Sequence, residues 1–217
     1  MIDVPKIYVI NLKHRTDRLA SITAELERMG VMDKVEIVEG VILPAHNSGN
    51  AGIAESHRRC IEMAMEQGYD RIMILEDDCK FVASKDDFEA GINNFLRDAP
   101  PDWAGFWFGT LATYYMNDDP VGFVRPVTFN QDTGTLINKW YYPTMLDYYT
   151  MCRDKFIETG DEYYTIDIPM NRPTPPYNLV ERDKIYVSKH QLCVQADNYS
   201  DRVFTDMLGG GGYFIPL

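Results

Sequence analysis

Three short β-branched runs separated by two amphipathic helical periods, all within the first 76 residues, leave this chain few folds to choose from. Residues 6–12 (KIYVINL) are apolar and carry no breaker, and His14, Arg15, Thr16 and Asp17 then form a polar turn ending in a helix cap. From 18 to 29 the apolar positions Leu19, Ile22, Leu26 and Met29 recur at spacings of three and four, one stripe on a helix closed by Gly30. A second strand is expected at 35–38. Residues 43–52 hold proline, asparagine, serine and two glycines and read as a loop. A helix over 53–66 follows, with Ile53, Cys60, Ile61, Ala64 and Met65 on its buried stripe, and residues 71–75 (RIMIL) form a buried strand. Strands that alternate with helices over short connections need crossovers, so the expected fold class is α/β, a mostly parallel sheet flanked by helices in a single domain.

The second half is less regular. A helix is expected over 88–96, strands at 105–109 and 124–129, a helix over 140–149, and late strands at 185–187 and 192–195 around a proline-rich stretch at 169–176. The aromatics Trp103, Phe106, Trp107, Phe108, Trp140, Tyr141 and Tyr142 are expected mostly in the core. Acidic residues outnumber basic ones 33 to 21, a formal net charge of −12. That balance disfavours nonspecific nucleic-acid binding and anionic membrane surfaces, and leaves room for a local anion site. No apolar run is long enough to span a membrane, and none has the pattern of a secretory signal. A soluble, cytoplasmic protein is expected, with Cys60, Cys79, Cys152 and Cys193 as reduced structural thiols because no CxxC pair occurs.

The chemistry concentrates at Glu76-Asp77-Asp78, directly after the RIMIL strand. Three consecutive carboxylates at the end of a buried strand repel one another and call for a compensating cation. Ligands of open α/β sheets lie beyond the carboxyl ends of the strands, where this cluster falls. In extended geometry Glu76 and Asp78 share a face and Asp77 points the other way. Oxygen donors without sulfur suit Mg²⁺ or Mn²⁺.

The stretches IYVINLKHRTDR (7–18), GIAESHRRC (52–60) and ILEDDCKF (74–81) resemble, in order and spacing, those of glycosyltransferase family 25. Weaker similarity continues at Gly134-Thr135-Leu136-Ile137, Ile166-Asp167 and Leu192-Cys193-Val194-Gln195. The resemblance implies a GT-A fold over residues 1–208, with the glycine-rich segment 209–217 a tail or the start of a linker to a further domain. It also implies a UDP-sugar donor, a glycan acceptor, and an inverting transfer that needs a general base.

On that pattern Asp78 binds Mn²⁺ or Mg²⁺ and the donor pyrophosphate, Glu76 supports the metal or the ribose, and Asp77 orients the ribose. Ile10, Asn11 and Leu12 frame the base with Arg15 or Arg18 nearby, and the Glu39-Gly40 pair is a further base or ribose contact. Ser56 and His57, early in a helix where unpaired N–H groups meet ribose or phosphate oxygens, join the donor site. His190 is the candidate late histidine of the metal site, and Asp167, held between hydrophobic neighbours, is the candidate base. Tyr114 and Tyr115, ahead of Asn117-Asp118-Asp119, are candidates for the border of an acceptor groove. Two other classes use or retain such acids: a metal-dependent nucleotidyltransferase or phosphohydrolase, and a noncatalytic carbohydrate-binding module.

Overall fold

The computed structural model describes residues 1–43, 45–46, 48–115, 122–130, 133–172 and 176–196. Residues 117–119 and 209–217, and the side chains of Tyr114 and Tyr115, lie outside the described residues. β1 (Ile7–Asn11), α1 (Thr16–Met29), β2 (Val35–Glu39), α2 (Asn50–Gln67) and β3 (Arg71–Glu76) follow the expected order. β1 pairs in parallel with both β2 and β3. α1 and α2 each end at a glycine in the left-handed region, Gly30 at φ 68° and Gly68 at φ 72°, which a side chain would strain. α2 starts at Asn50, three residues before the apolar stripe begins.

Then come β4 (Cys79–Phe81), α3 (Lys85–Asp98), β5 (Gly105–Trp107), β6 (Leu111–Tyr115), β7 (Phe123–Val124), β8 (Pro126–Asn130), β9 (Gly134–Asn138), α4 (Tyr142–Thr159), α5 (Leu179–Arg182), β10 (Ile185–Ser188) and β11 (Cys193–Gln195). α3 opens earlier than its apolar residues suggest because Ser84 caps it, accepting from the Asp87 amide. The central sheet has seven strands in the order β2-β1-β3-β9-β5-β10-β7. β9 and β7 run against the other five. This is the mostly parallel, helix-flanked α/β architecture that the sequence implies.

Two details differ from expectation. The single strand expected at 124–129 is two strands in different sheets, with β7 on the central sheet and β8 paired with β6. Arg125 divides them: its guanidinium donates to the carbonyl of Asp183 at 2.9 Å, and Pro126 has no N–H to continue a ladder. β9, a five-residue run opening on Gly134, carries no sequence signal strong enough to be read as a strand, yet it lies between β3 and β5.

Side-chain alternation along the strands feeds two cores. Tyr8, Ile72, Ile74, Trp107, Ile137, Ile185 and Val187 face α2 and α4, packing with Ala54, Ile61, Met145 and Tyr149. Ile7, Val9, Met73, Leu75, Phe106, Leu136 and Tyr186 face α1 and α3, packing with Ile22, Leu26, Phe88 and Phe95. Phe95 stacks on Phe106 with centroids 4.1 Å apart. Trp103, Phe106, Trp107, Phe108, Tyr141 and Tyr142 are buried here, and Trp140 is half-exposed. The four cysteines are free and buried. Among the described residues no helix is long and apolar enough to cross a membrane.

Candidate active site

The site is built where β1, β2 and β3 end. Glu76 closes β3, and the chain then turns, so Asp77 and Asp78 occupy a tight turn before β4. The face-sharing of Glu76 and Asp78 expected for an extended segment is therefore replaced by a different grouping. Glu76 Oε1 lies 3.4 Å from Nε2 of His57 on α2. Asp77 and Asp78 both meet Arg18 on α1, whose Nη1 is 2.8 Å from Asp77 Oδ1 and 3.2 Å from Asp78 Oδ2.

Each carboxylate of the turn has a second anchor. Asn11, at the end of β1, donates to Asp77 Oδ2 at 2.7 Å. Gln195 of β11 donates to Asp78 Oδ2 at 3.0 Å, and the Ala196 amide donates to the Asp78 carbonyl at 2.7 Å. The turn is thus fastened to the last described strand, 117 residues away in sequence.

Asp77 and Asp78 are 7% and 5% exposed, so their mutual repulsion is poorly screened and Arg18 bears the compensation. Burial pushes the Asp78 carboxyl above its ordinary value, the Gln195 bond and Arg18 oppose that rise, and Asp77 adds to it. Asp78 Oδ1 has no partner among the described residues. A buried acceptor without a donor, in a set of oxygen donors without sulfur, fits a hard divalent cation that keeps waters and ligand oxygens in its shell. Among the described residues no three His, Cys, Asp or Glu side chains converge as a complete metal cage. Such an ion would depend on the bound ligand for part of its coordination.

A cavity of about 190 Å³ opens beside these acids. Ile10, Leu12, Arg18, Ser56, His57 and the three consecutive acids line it, and so does Asp167. Asp167 Oδ1 accepts from Thr165 Oγ1 at 3.0 Å, and its carbonyl accepts from Asn171 Nδ2 at 2.6 Å. The Tyr148 hydroxyl of α4 donates to the neighbouring Ile166 carbonyl at 2.7 Å, so the segment is pinned from the core. Residues widely separated in sequence are brought to one cavity.

Other expected site residues stand elsewhere. Asn11 and Arg15 are buried behind the cavity wall: Asn11 positions Asp77, and Arg15 pairs with Asp17 at 2.9 Å. Glu39 is exposed and borders a neighbouring groove with Lys13, His14 and Arg59. The Ser56 hydroxyl donates to the Gly52 carbonyl at 2.7 Å and accepts from the Val41 amide at 2.8 Å, which ties the exit of β2 to α2. His57 is 1% exposed and packs against Tyr149 with centroids 5.2 Å apart. His190 is exposed in the turn after β10, and the structure does not bring it to the acids or the cavity.

Gly40, expected with Glu39 at the base or ribose, does line the cavity, which also uses residues that the sequence does not single out for the site: Val41, Ile42, Asn50, Thr133 and Gln195. Gly52, beneath them, is required by a close approach, since a Cβ there would stand 2.2 Å from the Val41 carbonyl oxygen. The first turn of α2 is thereby pressed against the segment leaving β2.

No protein-family model matches the chain, and no curated protein matches it in sequence. Among solved structures, a glycosyltransferase involved in glycosylating the major capsid of PBCV-1 aligns at 12% identity and a TM-score of 0.44, covering 85% of this chain and 93% of its own. A putative glucose-1-phosphate thymidylyltransferase from Bacillus anthracis aligns at 12% identity and a TM-score of 0.43, covering 86% and 68%. A Drosophila galactosyltransferase solved with manganese, UDP-Gal and xylobiose aligns at 16% identity and a TM-score of 0.35, covering 69% and 60%. At these scores the likenesses add nothing to what the sheet order and the cavity themselves show.

Proposed function

We propose that this chain is a metal-dependent, inverting glycosyltransferase of the family 25 type, moving a hexose or deoxyhexose from a UDP-sugar to a glycan hydroxyl. The observation that carries the reading is the gathering of Glu76, Asp77, Asp78, Arg18 and Asp167 in one cavity beyond the strand ends. Sugar transfer needs positive charge near a departing diphosphate and a carboxylate to take a proton; the acids after β3 offer oxygen ligands for a cation that would supply the first, and Asp167 offers the second.

In the proposed reaction the acceptor hydroxyl oxygen attacks the anomeric carbon, and the bond from that carbon to the diphosphate oxygen breaks with its electron pair. Asp167 takes the hydroxyl proton at its carboxylate. A divalent cation, when bound at Asp78 with Glu76 as support, would neutralise charge on the diphosphate as a Lewis acid. Asn11 and Gln195 hold the Asp77 and Asp78 carboxylates in register, and Arg18 lowers the repulsion between them. Ile10 and Leu12 offer an apolar wall for the nucleoside base.

The test is product analysis with UDP-glucose, UDP-galactose and UDP-rhamnose, each with and without Mn²⁺. Release of UDP and free sugar, slow without an acceptor and dependent on the metal, supports the reading. Release of pyrophosphate from a nucleoside triphosphate and a sugar phosphate assigns nucleotidyl transfer instead. Absence of turnover with retained binding to sugars alone assigns a carbohydrate-binding module.

A further inference from the structure

Asn50 is the first residue of α2 and lines the cavity. It is 4% exposed, yet its side-chain Nδ2 donates to nothing among the described residues. An amide donor left bare in a buried position is destabilising, so its retention points to a partner from outside the chain. Its surroundings set the kind of partner. The helix N-cap is Gly49, which brings no capping side chain, and the first turn contains no acidic residue. The first intrahelical bond runs from the Ile53 amide to the Gly49 carbonyl at 3.0 Å, so the amides of the preceding residues have no partner within the helix. The Asn50 amide makes a 3.3 Å contact with Ser48 Oγ, and Gly49, Asn50 and Ile53 of this end line the cavity. The 18-residue helix directs the positive end of its dipole there.

Asp78, whose buried Oδ1 accepts from nothing among the described residues, lines the same cavity. A bare donor at a helix amino end and a bare carboxylate oxygen are both satisfied by one ligand whose anionic oxygens travel with a cation. We propose that the amino end of α2, with the Asn50 amide donating, forms the anion-binding half of the donor site and takes a phosphoryl oxygen of the diphosphate. The inference rests on the nucleotide-sugar reading above and adds a residue and a helix end to it. A sugar hydroxyl also accepts from an amide, but it has no use for the helix dipole, and the two sources respond differently to charge.

The test is titration of wild type, Asn50→Ala and Asn50→Asp with UDP, uridine and inorganic pyrophosphate in the presence of Mn²⁺. Asp at the first position of a helix is favourable, so Asn50→Asp keeps the fold while replacing a donor with a negative charge. UDP and pyrophosphate affinity is expected to fall about tenfold in Asn50→Ala and about 100-fold in Asn50→Asp, with uridine unchanged. UDP affinity equal to wild type in both variants, or an equal loss for uridine and UDP, overturns the proposal and leaves the transferase reading intact. Pyrophosphate binding lost in Asn50→Asp, in a wild type that ignores UDP, upholds the anion site and sinks the nucleotide reading. A wild type that binds neither UDP nor pyrophosphate overturns both.

Discussion

Replacing Arg18 with Met removes a positive charge that touches two adjacent, buried carboxylates while keeping much of the side chain's bulk. The contacts are 2.8 and 3.2 Å, and the three side chains are 11%, 8% and 5% exposed. At such distances and an effective dielectric of about 20, each contact carries roughly 5 kcal/mol of Coulomb energy before desolvation. Removing one partner of a buried ionic group typically costs about 3–5 kcal/mol net. Asn11 and Gln195 continue to donate to the stranded acids, so the lower end, about 3 kcal/mol, is expected for Arg18→Met.

The loss depends on pH in a defined direction. The Asp78 carboxyl is raised above 3.8 in the folded protein, so its contribution to stability is full below that value and is lost as pH rises through the folded one. Without Arg18 the folded value climbs further, and protonation relieves more of the repulsion. Urea unfolding followed by tryptophan fluorescence should show a deficit of about 3 kcal/mol near pH 7.5, a midpoint shift on the order of 1 M, that shrinks near pH 5. A deficit under about 1 kcal/mol near pH 7.5, or one of equal size at both pH values, refutes the assignment of Arg18 as the charge that makes the acidic turn tenable.

Three further outcomes follow from named contacts. Asp167→Asn should lower turnover of the UDP-sugar by roughly 100- to 10,000-fold with UDP affinity unchanged, as steady-state kinetics beside titration would show. Glu55 of α2 is held down to about 2 by its bond to Arg58 and by Arg153 of α4, so it contributes stability above about 4.5 that is lost as pH falls through about 2; Glu55→Gln should cost about 2 kcal/mol at neutral pH and nothing near pH 2, measured by thermal or urea unfolding. Gly52→Ala forces a methyl against the Val41 carbonyl and should destabilise by about 2 kcal/mol while weakening UDP binding through displacement of the α2 amino end.

The first half of the fold was legible because each element carries its own period: KIYVINL and RIMIL read as strands, and Leu19, Ile22, Leu26 and Met29 mark one helix face without help from elsewhere. β9 was not legible, since GTLIN begins on a glycine and becomes a strand through ladders to β3 and β5. The same distinction runs through the site. Glu76-Asp77-Asp78 stood out because three acids after a buried strand are costly wherever that strand ends. Gln195 has meaning only once β11 pairs with β4 and carries it to Asp78. Asn50 looked like one more loop residue, because the helix begins before its apolar stripe. Asn11 was expected against the base but turned inward to Asp77, a choice made by packing between β1 and the turn after β3.

The central claim is that Asp78 completes, with a divalent cation, a site for a nucleoside diphosphate. Isothermal titration of the purified chain with UDP, with and without Mn²⁺, and of Asp78→Asn, which preserves the side chain's shape, addresses it directly. Metal-dependent binding in the wild type, weakened at least about tenfold in the variant, is the expected result. UDP binding that ignores the metal, or that survives unchanged in Asp78→Asn, contradicts the claim.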